Sequence, residues 1–185
     1  LHRISAKSAG GSFLYQEDVM SEEWTVRKAT EFAVKTEELG ALFYKKMAKK
    51  FQDNAEMKEV FDLLARDEEL HEQQFRKLLD RTAPDSEFSG SEEGMAVLRV
   101  MSMSQFFMGD EGLYGKPEEL TDVKSALIRA FELEKATLQY YQAMKDVVGE
   151  NQTVNSIIKA EKNHLMKLAE YLMTEAKFRG IADSF

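Results

Sequence analysis

Four stretches of this chain carry apolar residues at alternating intervals of three and four, and that rhythm restricts it to packed helices. The first stripe runs Ala33, Glu37, Gly40, Tyr44, Met47, Phe51, at spacings 4, 3, 4, 3, 4. The second is Met57, Phe61, Leu64, Glu68, His71, Phe75, Leu78. The third is Val123, Leu127, Ala130, Glu134, Thr137, Tyr141, Met144, Val148, and the fourth Val154, Ile157, Glu161, His164, Leu168, Tyr171. Such a seam keeps one face of each helix against its neighbours at a shallow crossing angle, as in a four-helix bundle. Only two prolines and ten glycines interrupt 185 residues, and Ala, Leu, Glu, Lys and Met are abundant, all good helix formers. The expected fold class is all-α.

The connections set the order of the helices. A tight polar stretch near "QDNAE" joins the first two, and "VGENQT" joins the last two, so each pair is expected to form an antiparallel hairpin. Between the hairpins lie residues 81–120, too long for a structureless link in a compact domain, and read as a crossover with a short helix over roughly 92–108. Its Met and Phe residues offer either a binding surface or, the preferred reading, core or subunit packing. Residues 1–20, with Gly10 and Gly11, read as an N-terminal extension; 21–180 form the bundle, and 181–185 a tail. Ser21, followed by acids in "SEEW", is a candidate N-cap for the first helix.

Charge and composition remove several function classes. A net charge of −8 argues against nucleic-acid binding, which needs a basic patch. The absence of cysteine excludes disulfides, thiolate chemistry, Cys-bound zinc and iron–sulfur clusters. No apolar run is long enough for a membrane span, and the opening residues carry no apolar segment of the secretory kind. Cytoplasmic is the expected location, without membrane or nucleic-acid partners.

Six ionisable residues break the apolar rule inside the seams: Glu37, Glu68, His71, Glu134, Glu161 and His164. Burying one unpaired carboxylate costs several kcal/mol or forces it to protonate. Four converging carboxylates need compensating charge, and neither Lys nor Arg occupies a matching seam position. Two divalent cations would supply it, with two neutral imidazoles completing the ligand set. The i, i+3 spacing of Glu68 with His71, and of Glu161 with His164, puts each pair on one helix face. Carboxylate and imidazole without thiolate suit iron or manganese better than a structural zinc. A single Glu-x-x-His is common by chance, and a lone seam glutamate can reach solvent. It is the set of six that points to a dinuclear site, while His2 reads as a solvated terminal residue.

An internal repeat supports the pairing. "TEELGALFY" (36–44) aligns with "LEKATLQYY" (133–141), each carrying a Glu, a small residue three on and a Tyr seven on. Each is followed by a Glu-x-x-His helix, after 31 and 27 residues respectively. Gly40 and Thr137 would leave room beside the metals. Tyr44 and Tyr141 either hydrogen-bond ligand carboxylates, as supporting groups of the catalytic site, or pack in the core with a tethered hydroxyl.

At these residues the sequence resembles the ferritin-like superfamily of carboxylate-bridged diiron proteins, and within it the rubrerythrin branch, over roughly residues 22–180. The resemblance implies a ferritin-like bundle holding two iron ions, with manganese or zinc able to substitute. It implies that Glu68 and Glu161 bridge them, that Glu37 with His71 caps one ion, and that Glu134 with His164 caps the other. It further implies reduction of hydrogen peroxide or O2, a role in oxidative stress, electrons from a separate donor such as a rubredoxin, and a homodimer or higher homo-oligomer. Rubrerythrins usually carry an extra glutamate three residues before the third-helix ligand, where this chain has Phe131, and they commonly append a Cys-rich rubredoxin domain, whereas this chain has no cysteine. The six-ligand set is closer to the bacterioferritin type, which keeps a ferroxidase or iron storage and transfer role as the alternative, although "TEAKFRGIADSF" leaves little room for the fifth helix of a ferritin. A third expectation is that the metals mainly hold the bundle together.

Overall fold

The computed structural model describes residues 25–83, 92–102 and 112–182, with side chains as far as Thr174. The extension at 1–20, Ser21, His2, residues 84–91 with the first half of "SGSEEG", and residues 183–185 lie outside the described residues. Four long helices are present: α1 (Val26–Lys50), α2 (Ala55–Arg81), α4 (Val123–Val148) and α5 (Gln152–Ala182), with a short α3 (Glu92–Met101) between the pairs. The chain is all-helical, two hairpins with a short helix between them.

Local chemistry explains where each helix starts and stops. Thr25 caps α1 by accepting from Lys28 N at 3.2 Å, and Asn54 caps α2 by accepting from Met57 N at 3.1 Å. Asp122 does the same for α4 through Ser125 N at 3.0 Å, while the Asn151 side chain accepts from Thr153 N and Val154 N at the start of α5. Lys49 and Lys50 lie in the last turn of α1, where cations oppose the exposed carbonyls. Helix α4 stops at Gly149, whose φ of 71° lies in the left-handed region that glycine adopts without steric cost. The expected turns are those at 51–54 and 149–151, short enough to make each pair antiparallel.

The crossover does carry a helix, α3, which begins where expected; residues 103–111 lie outside the described residues. Met95 and Leu98 of α3 are buried, whereas Val97 and Val100 on its other side are exposed. Part of the Met-rich segment is therefore core. A single 3₁₀ turn at Pro117–Glu119 leads into the buried Leu120 and then α4.

The apolar interior falls into two clusters. One contains Ala29, Phe32, Phe75, Tyr140, Tyr141, Met144 and Val154; the other contains Phe43, Tyr44, Met47, Phe61, Leu64, Leu127 and Leu168. On every long helix the polar seam residues fall between the two, in a layer across the middle of the bundle. Truncating a fully buried ring such as Phe61 or Phe75 would cost about 3–5 kcal/mol by transfer and cavity effects.

Candidate metal centre

Each long helix contributes to that middle layer. Helix α1 supplies Glu37, α2 supplies Glu68 and His71, α4 supplies Glu134, and α5 supplies Glu161 and His164. None is more than 4% exposed. Candidate ligand atoms of Glu37, Glu68, His71 and Glu161 all lie within 4.8 Å of one another, and so do those of Glu68, Glu134, Glu161 and His164. The structure thus brings all six sequence candidates together in two adjoining groups of four, with Glu68 and Glu161 in both.

The imidazoles approach through the same ring atom. His71 Nδ1 lies 3.0 Å from Glu161 Oε1, 3.6 Å from Glu37 Oε2 and 3.8 Å from Glu68 Oε2. His164 Nδ1 lies 3.2 Å from Glu134 Oε2, 3.6 Å from Glu161 Oε2 and 3.7 Å from Glu68 Oε1. Glu37 Oε2, His71 Nδ1 and Glu161 Oε1 are fully buried and have no hydrogen-bond partner. Three orphaned atoms facing one another are costly unless a cation joins them. Among the described residues no Lys or Arg is buried, so the side chains present fit a bound metal better than an internal ion pair.

The acid–base behaviour of the layer follows from crowding. Burial raises the Glu68 carboxyl well above its usual range, and the charges of Glu37 and Glu134 push it further. Burial and the Glu161 charge raise Glu134 to about 8. Burial opposes charge on both histidines, yet the carboxylates around them prevail and their pKa values rise: Glu161, Glu37 and Glu68 act on His71, and Asp67, Glu134 and Glu161 on His164. Glu161 moves the other way: burial and Glu68 oppose its charge, but the close approach of Glu134, His164 and His71 outweighs them. Protons and metal ions compete for the same sites.

A ring of supporting contacts surrounds these six. Tyr44 donates to Glu134 Oε1 and Tyr141 to Glu37 Oε1, both at 2.5 Å. Thr137 Oγ1 lies 3.3 Å from Glu161 Oε2. At the matching place on α1 there is Gly40, where an added Cβ would lie 3.4 Å from Glu68 Cγ. Three further residues were not anticipated from sequence. Asp67 Oδ2 sits 3.1 Å from His164 Nε2, fixing the outer ring nitrogen. Asp67 precedes Glu68 and so points off the seam, where sequence periodicity reads it as a solvated acid; its counterpart before Glu161 is Ala160. Tyr114, in the crossover, donates to Thr36 O at 3.1 Å, and Arg129 Nη1 donates to the carbonyls of Leu113 and Gly115. A loop tyrosine has no helical repeat to reveal it; only the "GLYGKP" turn chemistry marks the segment.

The rubrerythrin family model matches residues 28–172. The chain belongs to the rubrerythrin family. No curated protein and no solved structure matches it. The match spans all four long helices, so the bundle is the ferritin-like fold of that family. Within this rubrerythrin-family layer, Phe131 is partly buried and packs against the cluster containing Phe61 and Leu127, adding no carboxylate. Among the described residues no helix is long and apolar enough to cross a membrane.

Proposed function

We propose that the chain is a non-haem diiron oxidoreductase that reduces hydrogen peroxide or O2, receiving electrons from a separate donor such as a rubredoxin. The observation that carries this reading is the sharing of Glu68 and Glu161 between two buried Glu/His groups of four. In it Glu37 and His71 would hold one ion and Glu134 and His164 the other, with Glu68 and Glu161 shared between the two. The chemistry such a pair of ferrous ions would supply is two electrons to a peroxide, which with two protons gives two water molecules.

The protein's part is geometry, dryness and proton placement. The two apolar clusters exclude bulk water from both ends of the layer. Burial, with Glu134 and Glu68 nearby, raises the Tyr44 phenol; burial, with Glu37 and Glu161 nearby, raises that of Tyr141. Both phenols therefore keep their protons and act as donors that orient Glu134 and Glu37. Asp67 orients His164 through Nε2.

The six-donor set, with Phe131 in place of a further glutamate, favours a second reading as a ferroxidase that stores or passes on iron. One experiment separates them. The anaerobic ferrous protein is mixed with hydrogen peroxide or O2, and iron is counted after repeated oxidation and reduction. Rapid oxidation with two irons retained per chain supports the oxidoreductase. Many ferrous ions consumed per chain support the ferroxidase, and no acceleration over free ferrous ion removes both.

A further inference from the structure

The two Glu-x-x-His helices, α2 and α5, supply both imidazoles, whereas α1 and α4 supply Glu37 and Glu134 alone. The last part of the crossover lies on the α1/α4 side. Its segment 112–120 is gripped from both helices: Lys50 Nζ of α1 donates to Glu118 O at 2.7 Å, and Arg129 Nη1 of α4 donates to Leu113 O at 3.0 Å and Gly115 O at 3.2 Å. The two Arg129 bonds fall on the carbonyls either side of Tyr114. Tyr114 and Leu113 pack against both apolar clusters, which places them at the level of the carboxylate layer that separates the two.

The Tyr114 hydroxyl is bonded to the carbonyl of Thr36, the residue before Glu37. In an α-helix that carbonyl also pairs with the amide four residues on, which is Gly40. The phenol therefore ends at the one turn of α1 that lacks a side chain beside Glu68. Burial raises its pKa, and the charges of Glu68, Glu37, Glu134 and Glu161 each add to the rise, so its hydroxyl lies within the field of all four carboxylates. Tyr114 as a whole residue is half-buried, while its hydroxyl ends on the buried Thr36.

Resting on the reading of the layer as a diiron centre, we infer that Tyr114 is a specificity-determining residue: clamped by Arg129, its ring sets how large a molecule reaches the metals from the α1/α4 side. Molecules of the size of hydrogen peroxide or O2 pass; a hydroperoxide or anion bearing an aryl group does not.

The test uses Tyr114→Leu, which shortens the plug while keeping apolar packing, and Tyr114→Phe, which keeps the ring. Cobalt(II)-loaded protein gives a readout without turnover, since its visible spectrum reports anion binding. Azide is expected to bind the native protein and both variants alike, within about twofold, whereas benzoate should bind Tyr114→Leu at least about tenfold more tightly than native or Tyr114→Phe. Arg129→Gln, which releases the clamp and leaves the ring, should move benzoate affinity in the same direction. In the ferrous protein, Tyr114→Leu should gain about tenfold in oxidation rate with cumene hydroperoxide relative to hydrogen peroxide. Equal benzoate affinity in native and Tyr114→Leu protein overturns the inference. A native protein inert to hydrogen peroxide instead overturns the proposed function, and the benzoate-to-azide ratio still decides the role of Tyr114.

Discussion

Tyr44 on α1 donates to Glu134 Oε1 on α4 at 2.5 Å, so a phenol of the first hairpin orients a carboxylate of the second. Tyr141 on α4 returns the bond to Glu37 Oε1 on α1. The two hairpins are thus cross-tied at the polar layer as well as through their apolar clusters. Hydrogen bonds to charged groups contribute about 1.5–3 kcal/mol, so Tyr44→Phe and Tyr141→Phe should each lower the stability of metal-loaded protein by that order. Each should also weaken metal binding about 10–100-fold in competition with a chelator. Binding curves that superimpose on the native one would show that the phenols do not orient ligands.

Asp67 makes the two halves of the layer unequal. His164 has a carboxylate on Nε2, whereas Ala160, the residue matching Asp67 on α5, offers His71 no such group. A zinc or cobalt titration of the native protein should therefore show two separable binding steps. In Asp67→Ala the tighter step should weaken about 10–100-fold and the two should draw together. Steps that stay equally far apart in Asp67→Ala would count against the asymmetry.

Gly40 separates helix stability from site geometry. A Cβ there would meet Glu68 Cγ at 3.4 Å, and Cδ and Oε2 at 3.5 Å, ordinary contact distances that an alanine tolerates. Replacing a mid-helix glycine should add about 0.5–1 kcal/mol, or roughly 1–4 °C in Tm, to the metal-free protein. The same methyl confines Glu68, so oxidation of the ferrous protein should slow while Tm rises. A parallel fall in both would mean that the glycine serves the backbone instead.

Protons and metals should give opposite pH trends. Burial and the Glu161 charge push the Glu134 carboxyl up to about 8 from the ordinary 4.5, so the folded state binds more protons than the unfolded one in that window. Metal-free stability therefore falls as pH rises through it. His71 and His164, raised from 6.5 by the carboxylates around them against the effect of burial, act with the same sign: their contribution is complete below the unfolded value and is lost as pH climbs through the folded one. Glu161 and Asp67, both lowered, stabilise above their unfolded values and lose that contribution only in acid. Thermal denaturation of metal-free protein between about pH 5 and 8 should show Tm falling, whereas zinc-loaded protein should gain on the metal-free form as protons leave the ligands. A metal-free Tm that climbs across that range contradicts this account of the layer.

Residue spacing alone determined the four long helices, their pairing into hairpins and the six polar side chains that share a level, because helical period and turn chemistry are local properties of the chain. Glu37, Glu68, His71, Glu134, Glu161 and His164 stood out because charge in an apolar seam is costly wherever the seam packs. Only the tertiary structure decided that Glu68 and Glu161 belong to both groups of four, and that Tyr44 reaches Glu134 across the hairpins. The same holds for Asp67, which lies off the seam, and for Tyr114, which lies in no helix. These contacts depend on the distance and rotation between helices, and on where a crossover comes to rest. No repeat along a single strand of residues encodes either one.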